Sequence, residues 1–204
     1  MPKYYARTFL PWIVLAVVSS FDTQAGAVAG LVAAVALLGQ DLRRGNSADA
    51  LVLEISTSAF MALLTALAFT MPGSSVLDYG ASLAIGWLAA TAWGTLLLRR
   101  PFTEGIARRQ VPAEIAATGL FRRVNRVITA VWAASFTALA AALGLVQHWD
   151  PDDTALLVAV KVAGFTVPAV FTARYPGLAR KRHLAGSGLP FPEASTAEPE
   201  SAPR

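Results

Sequence analysis

Three ionisable side chains lie within or against apolar stretches of this sequence: Asp22, Glu54 and Lys161. Such groups in hydrocarbon often line ion or substrate pathways, so a small-solute or ion transporter or channel is one chemistry they could serve. A second candidate is Asp150-Pro151-Asp152-Asp153 beside His148, because metal or general-base catalysis needs clustered His, Asp or Glu. An acidic turn marking one membrane face accounts for that run better. The chain has no cysteine, which excludes disulfides, thiolate metal sites and cysteine nucleophiles. Its two histidines, His148 and His183, fall outside the apolar runs, so a bis-histidine haem in the bilayer is excluded. The residues outline no catalytic, cofactor-binding or metal set, and the expectation is a protein without enzymatic activity or cofactor.

The elements that carry these residues are long and apolar. Of 204 residues, 55% are hydrophobic and 15% charged, whereas a soluble domain has roughly 25% charged. Only contact with lipid reconciles that deficit with the mean hydropathy of +0.51. The predicted fold is an all-α, polytopic transmembrane helical bundle of six apolar helices, over 8–21, 25–39, 50–70, 76–98, 120–146 and 154–173. The first spans about 21 Å, short of the ~30 Å hydrocarbon core, which leaves open a re-entrant segment and a five-span chain. A signal peptide is the weaker alternative, since Asp22-Thr23-Gln24 is a poor cleavage context. Residues 1–182 read as one integral membrane domain. Residues 183–204, rich in Gly, Pro, Ser, Ala and Glu, read as a disordered cytoplasmic tail.

Within the helices, Gly26 to Gly30 and the series Gly86, Ala90, Gly94 fit the small-residue spacing that lets helices approach closely. Trp87 and Trp93 are either interface anchors or packing residues. Glu54 sits about one turn inside the third helix and reads first as a carboxylate near the headgroups. Lys161 lies roughly 12 Å into the sixth helix, where a lysine costs ~2.5–3.5 kcal/mol at the membrane centre. Snorkelling would lessen that cost. The expected arrangement is a Lys161 that faces the bundle and pairs with Asp22, with Gly164 one turn on admitting a neighbouring helix.

Between the fourth and fifth helices lies a basic joint, from Arg99-Arg100-Pro101 to Arg122, Arg123 and Arg126. Its middle, 102–118, is too polar to span, and is expected as a surface-lying amphipathic segment broken at Pro112, or as a solvated loop. With the N-terminus inside, every Lys and Arg except Lys161 falls on the cytoplasmic side. The expectation is a multi-pass protein of a bacterial inner membrane with both termini cytoplasmic. Its basic loops would meet anionic headgroups. Nucleic-acid binding would need a folded polar domain that this sequence lacks, while a homo-oligomer is compatible with it.

Five short features, taken in order, resemble one family. They are Phe9-Leu10-Pro11, Asp22 followed by Ala25-Gly26, Arg100-Pro101, Asn125 ahead of Trp132 and Phe136, and Lys161-Val162-Ala163-Gly164. Over roughly 8–174 the chain resembles the intracellular septation protein A family of small bacterial inner-membrane proteins. The resemblance implies a part in septation, cell-envelope synthesis or membrane homeostasis, through envelope-synthesis or division partners and without an established reaction.

Overall fold

The computed structural model describes residues 2–19, 21–46, 51–108, 110–150 and 153–186. The described helices are α1 (Pro2–Ser19), α2 (Thr23–Arg43), α3 (Val52–Thr70), α4 (Gly80–Leu97), α5 (Phe102–Arg108), α6 (Ala113–Ala116), α7 (Gly119–Trp149) and α8 (Thr154–Gly186). A 3₁₀ turn, Leu77–Tyr79, precedes α4, and no strand occurs among the described residues. Among the described residues, five helical stretches are long and apolar enough to cross a membrane, and α1 adds the shorter apolar stretch Leu10–Ser19. The chain is an all-α, multi-pass integral membrane protein.

α2, α7 and α8 overrun the predicted boundaries, because polar end residues continue a turn that needs no apolar side chain, while α3 and α4 stay inside theirs. α2 runs on through the expected loop to Arg43, whose cation in the last turn suits the helix dipole. α8 continues through the basic run to Gly186, so residues 183–186 are helix and do not belong to a disordered tail. The tail from 187, the segment 47–50 and, in the acidic turn, Pro151 and Asp152 lie outside the described residues.

α1 is one helix that does not double back. A Cβ on Gly26 would overlap Ser19, and one on Gly30 would meet Leu15 and the Pro11 carbonyl at 3.2 and 3.4 Å. The two helices are therefore an antiparallel hairpin closed through the Gly26–Gly30 face. The glycines leave the backbones room to meet, which substitutes for the hydrophobic driving force that lipid removes.

Two halves result. α1, α2 and α3 pack in sequence order, while α7 packs against α4, α5, α6 and α8. The buried stripe of α7 runs Val124, Asn125, Ile128, Thr129, Ala133, Phe136, Leu139 and Leu143, at helical spacing. Between α3 and α4 the backbones barely touch, and side chains make the join. Trp12 stacks on Phe60 (ring centroids 5.3 Å apart), and Phe60 meets Trp87 at 5.7 Å. The Trp87 indole donates to Ser56, and the Ser56 and Thr91 hydroxyls hydrogen-bond each other. Trp87 is thus a packing residue. Trp93 is exposed and donates to Thr137.

The small-residue face expected on α4 does not pack. Nothing lies within 4 Å of a Cβ built on Gly94, Ala90 is exposed, and a Cβ on Gly86 would touch only Ala140, at 3.9 Å. Leu88, Ala89 and Ala92, on the other side of the helix, cluster with Ala133 and Phe136 of α7 instead.

Candidate functional site at the basic end

Helix parity gathers the charges at two ends. Gln147 donates to the Asp78 carbonyl, Tyr79 hydrogen-bonds His148, and Gln24 donates to the Ala68 carbonyl. The turns carrying Asp22, Asp78 and Asp150 therefore share one end. Arg44, Arg99, Arg100, Arg108, Arg122, Arg123 and Arg126 lie at the other, all exposed.

The basic end begins where α4 stops. Arg99 N–H donates to the Leu96 carbonyl and Arg100 N–H to the Thr95 carbonyl, with Arg99 at φ 57°. This is the left-handed helix stop that usually carries glycine, and Pro101 follows because the helix cannot continue. An arginine there holds a strained backbone where a charge is presented. Thr95 is buried; its hydroxyl donates to the Ala92 carbonyl and accepts from the Phe102 N–H at 3.3 Å. The chain is thereby turned inward.

α5 consequently lies against α7, and the expectation of a surface helix or solvated loop fails for this segment. Phe102 packs on the core of Leu88, Ala92 and Phe136. The Thr103 hydroxyl donates to the Asn125 carbonyl at 2.9 Å and lies 2.7 Å from the fully buried Thr129 hydroxyl. Glu104 is buried and takes Arg108, one turn on, at 2.6 Å. Hydroxyls supply the bonds that buried backbone and side-chain groups require. Pro112 does break the segment, since α5 ends before it and α6 starts after it.

The basic joint residues Arg99, Arg100 and Pro101 are thus brought together with Asn125, itself buried and donating to the Phe121 carbonyl at 2.9 Å. Glu54, in the first turn of α3 and half-buried, is at this end too, where a carboxylate suits the helix start. Sequence reasoning missed Thr95, Thr103, Glu104 and Thr129. The i, i+4 spacing of Glu104 and Arg108 was the only available signal; the rest depends on α5 folding back.

Asp22 and Lys161 do not come together. Asp22 is exposed and caps α2, accepting from the Ala25 N–H at 2.6 Å. Lys161 is exposed on α8, which packs against α7 at the edge of the bundle, so the expected pair does not form. A side chain left on that surface has the snorkelling route to the headgroups. Gly164 does admit a neighbour: a Cβ there would sit 2.8 Å from Leu139 of α7. Asp22, Glu54 and Lys161 therefore occupy three separate places and line no common path. Among the described residues no three His, Asp or Glu side chains form a metal-holding group.

These features define a multi-pass membrane protein with one organised, basic end. No family model, curated protein or solved structure matches the chain.

Proposed function

We propose that this is a non-catalytic protein of the bacterial inner membrane that acts in cell-envelope maintenance or septation by holding partner proteins at its basic, cytoplasmic end. The carrying observation is the inward fold of α5. It turns a polar interhelical segment into a fixed base beneath Arg99, Arg100, Arg122, Arg123 and Arg126. A rigid base keeps exposed cations at set positions, which a partner of complementary charge can recognise. The positive-inside bias supports the orientation. The likeness in sequence to intracellular septation protein A supports the envelope role.

Reporter fusions test the orientation: alkaline phosphatase should be active after Asp153 and inactive after Arg182, and the reverse overturns it. Affinity capture from membranes through a C-terminal tag tests the role. Recovery of envelope-synthesis or division proteins, lost when the five arginines become glutamine, is the expected result. Solute uptake by proteoliposomes of the purified chain, without such partners, would replace this reading with a transporter.

A further inference from the structure

The first turns of α7 and the last turns of α8 border a half-open cavity of about 430 Å³, within the size range of small-ligand sites. Its polar lining is Arg123, Tyr175, Arg182 and His183; its apolar lining is Leu120, Val124 and Ala179. No carboxylate lines it, and among the described residues neither arginine has an acidic partner. Two guanidinium forks with a phenol hydroxyl and an imidazole form a donor set suited to phosphate oxygens.

Depth indicates where that phosphate comes from. At 1.5 Å per residue, Tyr175 is about 32 Å along α8 from Thr154, and Arg123 about 39 Å along α7 from Trp149. The hydrocarbon core is ~30 Å thick, and ~40–45 Å with its headgroups. Both walls therefore cross the headgroup layer at the basic end, with apolar side chains beside the arginines.

We propose that this α7–α8 cavity binds one anionic phospholipid. Arg123 and Arg182 hold the phosphodiester, Tyr175 and His183 add hydrogen bonds, and the glycerol and first acyl carbons rest on Leu120, Val124 and Ala179. The proposal needs the chain to span a membrane but is independent of the partner-holding role and of orientation.

The test titrates the full-length detergent-solubilised protein with phosphatidylglycerol, phosphatidylcholine or inorganic phosphate and counts retained molecules by native mass spectrometry. One phosphatidylglycerol should be retained in preference to the other two. R123Q/R182Q should weaken retention roughly tenfold per guanidinium, since a hydrogen bond to a charged group is worth about 1.5 kcal/mol and 1.4 kcal/mol is tenfold. R180Q/K181Q removes as much charge from positions that do not line the cavity and should change retention less than about threefold. Ala179→Trp fills the cavity with every charge kept and should also abolish the preference. It decides the matter if R123Q/R182Q does not fold. Equal weakening in the two double variants, retained preference in Ala179→Trp, or inorganic phosphate binding as well as the lipid would overturn the proposal.

Discussion

The two ends of this bundle are built differently. At the acidic end, Asp22 and Asp78 are exposed on short turns, and the bonds that tie the Asp78 turn to the end of α7 (Tyr79 to His148, Gln147 to the Asp78 carbonyl) are exposed as well. At the basic end, Thr95, Glu104, Asn125 and Thr129 are buried and bonded, and the arginines stand outside them. Exposed polar groups can exchange protein partners for water at little cost, whereas buried ones lose a bond with nothing to replace it. The comparison teaches that charge count does not locate the organised end. The interior polar bonds do, and they fall where a third segment, α5, is inserted between the spans.

That contrast can be broken by substitution, with stability followed by denaturant titration in detergent. Arg108→Gln should have the largest effect. It strands the Glu104 carboxylate, whose side chain is 12% exposed. Breaking a fully buried pair costs about 3–5 kcal/mol; Arg108 is 55% exposed, so about 2 kcal/mol is expected. The double variant E104Q/R108Q should recover part of that loss. A cost under about 0.5 kcal/mol would place Glu104 with the surface carboxylates and erase the distinction. Thr103→Val comes next, at about 1–2 kcal/mol, because it takes the hydroxyl donor from the Asn125 carbonyl and the hydrogen-bond acceptor from the buried Thr129 hydroxyl.

At the acidic end, Asp22→Ala removes one helix cap and should cost about 1 kcal/mol, with no further penalty from Lys161. A D22A/K161A double variant should therefore show additive losses, and clear coupling would reinstate the pair. The smallest effect has the opposite sign. Arg99→Gly relieves a left-handed backbone and should stabilise by about 0.5 kcal/mol, after the extra chain entropy of glycine is offset. Loss of stability there would mean that the Arg99 side chain holds the end together as well as presenting charge.

The legible and illegible parts of the molecule divide by range. The fold class, the six apolar helices and the polarity of the two ends follow from hydropathy and charge along the chain, because bilayer thickness imposes its own period on any sequence that spans it. The Gly26–Gly30 approach was legible too, though its partner, α1, was not. The α4 stripe misled because alanine and glycine spacing states where helices can meet and leaves open where they do.

The sequence alone determined that this chain crosses a membrane, in about how many passes, and that its basic residues share one end. Only the tertiary structure decided that α5 folds back onto α7, that Asp22 caps its own helix while Lys161 stays at the rim, and that Arg123 meets Arg182 across a cavity. The reason is physical. Partition into lipid sums over neighbouring residues and so is written in the chain. A buried hydroxyl, an ion pair or a shared cavity depends on which helix face arrives opposite, and that is settled by packing among residues far apart in sequence.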